Sequence, residues 1–338
     1  MWTEKELDRI LTTPSAQLIA DMENIEGDIM VLGAGGKMGP TLAVLAQKAR
    51  SASRTAGRVI AVSRFSELEA ADYLTRSGVE VLPCDLLSDG ALDRLPETPN
   101  ILYMAGRKFG TTGQEAGTWA LNAALPTLVG RRFREARLVV FSTGNVYPLS
   151  PLAGGGCSEE DPTGPVGEYA MSCLARERLF EHAAQAYGSK VLLYRLNYAV
   201  DLRYGVLHDI AAKIQAGEPI SQKTPCFNCV WQGYANEVAI RGLLLADSPA
   251  VRLNVTGPET LSVRHTARLL GEHLGRQPIL LDDATDRAYL NHAGRCMRLF
   301  GYPQVSAETL IRWQAEWLLE GGRSRNKPTH FDEREGQF

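Results

Sequence analysis

The sequence lacks any apolar run approaching the ~18 residues that a membrane-spanning helix needs. Its opening, Met1-Trp2-Thr3-Glu4-Lys5-Glu6, is charged where a secretion signal would be apolar. It also lacks a charge excess of either sign. The 36 basic and 39 acidic residues leave a formal net charge of −3, so nothing points to nucleic acid or an anionic membrane as partner. Cysteine is sparse, with six in 338 residues. That is too few for a disulfide scaffold, and a reducing, cytoplasmic setting is expected. The six histidines are scattered without ligand spacing, and neither a Ser-His-Asp order nor a P-loop signature supports a hydrolase or kinase. Cys226-x-x-Cys229 stands without a second pair or a nearby His, so no metal is expected. No repeat at solenoid periods is visible.

What is present is an ordinary globular composition, 44% hydrophobic, with length for two lobes or one large α/β unit. Residues 1–27 read as an acidic helical leader, with Thr3 and Glu6 as a capping box before Leu7, Ile10 and Leu11. From residue 28, β-rich runs alternate with helical patterns: Ile29–Leu32, Val59–Val62, Val79–Leu82, Ile101–Met104, Leu138–Phe141 and Val191–Tyr194. Such alternation predicts right-handed βαβ units and a parallel, doubly wound sheet. After about Asn197 the rhythm is mostly helical, over roughly 204–216, 235–247, 263–274 and 306–319. Ser262 and Ser306 stand as N-caps, and a short strand lies at Val251–Val255. The stretch 321–338 is polar and glycine-punctuated. It reads either as a loosely wrapped tail or as a segment whose Phe331 and Phe338 dock on a neighbouring subunit.

The run Ile29-Met30-Val31-Leu32 leads directly into Gly33-Ala34-Gly35-Gly36-Lys37-Met38-Gly39 and then a helical pattern beginning near Thr41. Strand, tight glycine turn and helix form the setting in which Gly33, Gly36 and Gly39 bring backbone amides and a helix N-terminus up to a pyrophosphate. The second strand ends Ala61-Val62-Ser63-Arg64 with no acid to hold the ribose 2′-hydroxyl of NAD. Arg64 therefore leans the choice towards the 2′-phosphate of NADP, a solvated surface arginine being the competing reading.

Further stretches fall in an order that resembles the extended short-chain dehydrogenase/reductase family, the NAD-dependent epimerase/dehydratase group. Cys84-Asp85-Leu86-Leu87 resembles that family's adenine-contacting Asp-Leu, and Tyr103-Met104-Ala105-Gly106-Arg107-Lys108 its turn beside the cofactor. Asn122 falls where the next helix usually carries an Asn. Phe141-Ser142-Thr143-Gly144-Asn145-Val146-Tyr147-Pro148 is similar to the Ser-Ser-x-x-Val-Tyr-Gly segment, and Arg195-Leu196-Asn197 to the Arg-x-x-Asn that opens the substrate lobe. Ala235-Asn236-Glu237-Val238-Ala239, Leu253-Asn254-Val255 and Leu261-Ser262-Val263 continue the likeness over roughly residues 28–319. The resemblance implies an α/β, Rossmann-type doubly wound parallel sheet over 28–196. A smaller, mostly helical C-terminal substrate lobe then spans 197–320, with some segments returning to the sheet. It implies an NAD or NADP cofactor held by Gly33, Gly36, Lys37, Met38, Gly39, Ser63, Arg64, Asp85, Leu86, Met104, Ala105, Gly106, Lys108, Asn122 and Tyr169. A homodimer is expected by the same analogy.

By that family's pattern a Ser/Thr hydroxyl orients the substrate oxygen and a Tyr exchanges a proton with it. A Lys four residues after the Tyr lowers the tyrosine pKa and binds the nicotinamide ribose. Thr143 and Tyr169, 26 residues apart, match the first two, but the lysine position is Cys173. An unperturbed tyrosine has a pKa of about 10, and a neutral thiol offers no field to lower it. Tyr169 is therefore expected to donate a proton more readily than to accept one. Three readings stay open. Another cation, Lys108 or Lys37, substitutes; the reaction is slower or differently organised; or the chain is a sensor that binds NAD(P) without turnover.

Family members that take nucleotide-diphosphate sugars carry an Arg that clamps the diphosphate, whose oxygens a guanidinium fork fits. The corresponding stretch here, Glu218 to Gly233, contains no Arg and only Lys223 as a cation. A smaller substrate is expected, a free sugar, sugar acid or related hydroxy-carbonyl compound, with Asn145, Asn197, Arg203 and Trp231 as candidate contacts. The expected activity is that of an oxidoreductase, epimerase or dehydratase.

Overall fold

The computed structural model describes residues 1–66, 68–108, 113–327 and 329–336. Runs rich in Val, Ile and Leu become the strands of a wholly parallel sheet, the central ones buried on both faces and the edge strand at Glu80–Pro83 only partly buried. The strands are β1 (Ile29–Leu32), β2 (Val59–Ser63), β3 (Glu80–Pro83), β4 (Asn100–Tyr103), β5 (Arg137–Thr143), β6 (Lys190–Leu196) and β7 (Val251–Val255). Their spatial order is β7-β6-β5-β4-β1-β2-β3, every neighbouring pair parallel. This is the doubly wound architecture that the alternating pattern predicts. The order reverses between β1 and β4, and a crevice opens there at the strands' C-terminal ends.

The helices are α1 (Glu4–Leu11), α2 (Ala16–Met22), α3 (Gly39–Ser53), α4 (Leu68–Arg76), α5 (Glu115–Trp119), α6 (Leu125–Arg132), α7 (Gly167–Tyr187), α8 (Val206–Ala216), α9 (Gln232–Arg241), α10 (Val263–Leu274), α11 (Gly294–Phe300) and α12 (Ala307–Leu319). Side chains alternate across the sheet. Ile29 and Val31 join the core that α2, α3 and α9 cover, while Met30 and Leu32 join the one built with Val129 of α6 and Phe180 of α7. The first long helix starts at Gly39, two residues before the expected Thr41, with Pro40 in its first turn.

A third core forms where α8, α10 and α12 pack together. Their caps are those the sequence announces: Ser262 accepts the His265 N–H at 3.3 Å and Ser306 the Thr309 N–H at 3.2 Å. The leader divides between the cores. Thr3 caps α1 by accepting the Glu6 N–H at 3.1 Å, and Leu7 and Leu11 enter the C-terminal core. Leu18 and Met22 of α2 pack under the sheet instead. The tail does not reach for a neighbouring subunit through Phe331. That ring is 2% exposed and belongs to the C-terminal core of its own chain, where burying it removes an apolar surface from water. Phe338 lies outside the described residues.

Candidate active site

The crevice is two joined cavities of about 650 and 530 Å³, both bordered by Gly33, Gly35, Gly36, Met104, Gly106, Arg107 and Lys327. The glycine turn joins them. Gly33 holds φ +90°, and a Cβ there would come within 2.5 Å of the Ala105 nitrogen. A Cβ at Gly36 would meet only the Gly33 carbonyl oxygen, at 3.6 Å, so its face stays open to the crevice beside the start of α3. An open glycine cradle at a helix N-terminus suits the pyrophosphate of a dinucleotide.

The larger cavity gathers the residues expected beside an adenosine. Ser63 and Arg64 from the end of β2, and Asp85 and Leu86 after β3, line it with Ala105. Asn122, also expected at the cofactor, does not line the crevice. It is fully buried, and its Oδ1 accepts from the Arg107 N–H and from Arg176, each at 2.8 Å. Its Nδ2 donates to the Arg107 carbonyl and to Ser172, each at 3.0 Å. With its bonding capacity spent, Asn122 ties the turn after β4 to α7.

The smaller cavity gathers Lys37, Met38, Lys108, Thr143, Asn145, Tyr169 and Asn197. Thr143 ends β5, and Tyr169 sits in the first turn of α7. The Tyr169 hydroxyl shares a hydrogen bond with Thr143; burial first, and then the neighbouring Cys173, push its pKa well above 10. Thr143 is set in turn by Asn145, whose N–H it accepts at 3.2 Å. Cys173 is 1% exposed and packs with Val146, Tyr147 and Cys157, and burial raises its thiol as well. The Lys108 ammonium lies 5.8 Å from the centre of the Tyr169 ring, and burial pulls its pKa down to about 8.

Lys37 reaches across to the C-terminal lobe, its Nζ 3.3 Å from the centre of the Tyr204 ring, a cation–π distance. Burial first, then Lys108, Lys327 and Arg325, lower its pKa to about 7. Asp209 acts in the opposite sense on Lys37 and on Lys108. These two lysines give the ligand-free protein a pH signature. Between about pH 7 and 10 the folded chain holds fewer protons on them than the unfolded chain, whose lysines titrate near 10.4. Their contribution to stability therefore rises with pH and is lost as pH falls towards 7. The six thiols, all raised by burial, act in the opposite sense once unfolded cysteine ionises at about pH 8.5. Urea midpoints measured from pH 7 to 8 should therefore climb, and the climb should be shallower in Lys37→Met; an unchanged slope in that variant would refute the assignment.

Two expected substrate contacts lie elsewhere. Arg203 is a buried structural fork, held by Asp201 at 2.9 Å, Glu4 at 2.9 Å and Asp8 at 3.0 Å, which ties α1 to the C-terminal lobe. Trp231 is 4% exposed in the C-terminal core, its ring 5.7 Å from that of Trp313 in an edge contact. Other residues line the crevice without a signal read from the sequence. Tyr198 does so at φ 45°, a strained backbone for a bulky residue. Tyr204 adds its ring, and Arg325, Lys327 and Thr329 come from the tail. The alternation of Arg323, Arg325 and Lys327 was the only available cue to the tail's role.

Beneath this floor, Glu177 of α7 and Arg195 of β6 form an ion pair at 2.7 Å, with side chains 0% and 2% exposed. Glu177 also accepts the Ser142 hydroxyl at 2.5 Å, next to Thr143, and Arg195 donates to the Tyr147 hydroxyl at 2.6 Å.

A parallel sheet reversing order at a glycine cradle, with a threonine–tyrosine pair at its far end, defines the class of dinucleotide-dependent α/β proteins. The chain belongs to the NAD dependent epimerase/dehydratase family, which residues 29–221, more than half of it, match. No curated protein matches its sequence. Among solved structures it is similar to a UDP-glucuronic acid 4-epimerase from Bacillus cereus, in complex with NAD, at 15% identity and a TM-score of 0.70. A UDP-glucose 4-epimerase from Thermotoga maritima with UDP-glucose gives 17% and 0.70; in both cases 87% of this chain and 99% of the other are covered. A dTDP-glucose 4,6-dehydratase from Bacillus anthracis, in complex with NAD, gives 14% and 0.72, covering 87% and 96%. At these identities the likeness is one of fold. Among the described residues, no helix is long and apolar enough to cross a membrane.

Proposed function

We propose that the protein is an NAD(P)-dependent enzyme acting on the hydroxyl or carbonyl group of a small sugar, sugar acid or related compound, with the reductive direction favoured. The observation that carries this reading is Lys108 beside Tyr169 and Cys173, where burial has already weakened its hold on a proton. The cation that the chain lacks at position 173 comes from the turn after β4 instead.

In this reading the glycine cradle and the start of α3 hold the cofactor's pyrophosphate. Ser63 and Arg64 favour the 2′-phosphate of NADP over NAD, no acid standing at the end of β2. A bound nicotinamide supplies or takes up the hydride. Thr143 orients the substrate oxygen and Tyr169 delivers a proton to it. A phenol held well above its ordinary pKa is a poor base but remains a competent donor, which is why reduction is the favoured sense. Lys108, near neutrality, then returns a proton towards Tyr169. Asn145 and Asn197 offer amides to further substrate oxygens. Although similar structures hold UDP-sugars, the absence of an Arg between Glu218 and Gly233 supports a substrate without the nucleotide.

The test is binding of NADPH and NADH, followed by fluorescence, and consumption of each with a panel of aldoses, ketoses and keto acids, followed at the nicotinamide absorbance. Tighter NADPH binding and turnover on at least one compound are expected. Firm cofactor binding with no turnover on any of them would favour a cofactor sensor.

A further inference from the structure

The tail is pinned at two points to the C-terminal part of the fold, at the start of α8 and in the core behind it. Ser324 bonds His208 Nε2 at 2.9 Å, and the Arg325 N–H donates to the Arg203 carbonyl at 3.0 Å. Further on, Thr329 donates its N–H and its hydroxyl to one oxygen of Asp209, at 2.7 and 2.5 Å, and Phe331 is buried in the C-terminal core. Between these anchors Arg325 and Lys327 line the smaller cavity.

That cavity is strongly unbalanced in charge. Among the described residues its walls carry Lys37, Arg107, Lys108, Arg325 and Lys327 and no carboxylate, in a chain whose net charge is −3. A cofactor pyrophosphate accounts for part of this. Arg107 and Lys327 border both cavities, at the junction beside the glycine cradle, where such a group belongs. Lys108 stands beside Tyr169. Arg325 borders the smaller cavity alone, and among the described residues no carboxylate lies within ion-pair distance of it. Asp201, the acid whose charge acts on it most, is already engaged by the Arg203 fork. A half-buried guanidinium without a counter-ion is costly unless a ligand supplies one, and its planar fork matches a carboxylate or phosphate.

We infer that the strap formed by residues 323–327 and 329–331 builds an anion subsite in which Arg325, flanked by Lys37, holds a carboxylate or phosphate carried by the substrate. The inference rests on the reading above and narrows its substrate class from sugar-like compounds to acidic or phosphorylated ones. The strap then does for a small acid what a diphosphate clamp does for a nucleotide sugar.

The experiment uses protein loaded with NADPH and follows binding of D-glucuronate, inorganic phosphate and uncharged D-glucose by calorimetry. Glucuronate or phosphate is expected to bind measurably and glucose at least about ten-fold more weakly. Arg325→Gln should lose anion affinity about ten-fold or more, the size expected for a charge-assisted pair, with NADPH affinity within about two-fold of the parent. Arg325→Lys, which keeps the charge without the fork and is the safer variant for folding, should fall between the two. If both variants lose NADPH affinity as steeply as anion affinity, Arg325 serves the cofactor and the inference is overturned. NADPH binding without any anion response in the parent overturns the inference alone, whereas failure of NADPH to bind overturns the reading beneath it.

Discussion

Lys108→Met is expected to turn over about 100-fold more slowly than the parent, with kcat falling further than KM rises, because in the proposed reaction it removes the cation that attends Tyr169. Tyr169→Phe sets the floor for comparison, and the two losses should not multiply, since both act on one proton. The decisive variant restores the lysine where the family keeps it. Cys173 is buried against Val146 and Tyr147 within the influence of Lys108, so Cys173→Lys alone would crowd a second ammonium beside the first. In the Lys108→Met background that conflict is gone, and Cys173→Lys is expected to recover at least about ten-fold of the lost rate. The pH profile adds a separate readout. Burial lowers the Lys108 pKa to about 8 in the substrate-free protein, so the parent's kcat/KM should bend in that region and the Lys108→Met profile should not. Equal turnover in the parent and Lys108→Met, with Tyr169→Phe inactive, would remove Lys108 from the reaction.

The glycine turn and the strands around it were legible because their signals are local. A strand running into Gly33-x-x-Gly36-x-x-Gly39 is written in eleven consecutive residues, and the observed strands fall within about a residue or two of their β-rich runs. Thr143 and Tyr169 were legible for the same reason, each lying in a short segment whose order is fixed by neighbouring motifs. The rest depends on partners far away in sequence. Arg203 looked like a substrate ligand until Glu4 and Asp8, 199 and 195 residues earlier, closed on it. Trp231 carries no mark that distinguishes a core ring from a binding ring, and burial alone decides it. The tail has no periodicity and little apolar content, so no local rule announces that Phe331 anchors it and swings Arg325 into the cavity. Lys108 illustrates the intermediate case: its motif placed it beside the cofactor, but its position over Tyr169 needed the packed turn that Asn122 holds.

Glu177→Gln is expected to cost about 3–5 kcal/mol of stability, far more than loss of any surface pair, because it strands the Arg195 guanidinium at 2% exposure without its counter-charge. The amide keeps the shape and still accepts one hydrogen bond, so the loss measures charge rather than volume. Arg178→Ala, which breaks an exposed pair with Glu181 at 2.6 Å on the same helix, should cost under about 1 kcal/mol. Replacing both members of the buried pair, as Glu177→Leu with Arg195→Met, should cost less than Glu177→Gln alone, since no isolated charge remains. Urea unfolding of the three variants reads these differences directly, and a loss below about 1 kcal/mol in Glu177→Gln would refute the buried pair as drawn. The same variant also reports on the site. Glu177 accepts the Ser142 hydroxyl at the end of β5, and Arg195 supports Tyr147 three residues beyond Asn145's neighbour Gly144, so the pair clamps the strand end that presents Thr143. Folded Glu177→Gln is therefore expected to lose kcat while NADPH affinity, which the proposed reading assigns to the glycine turn, stays near that of the parent.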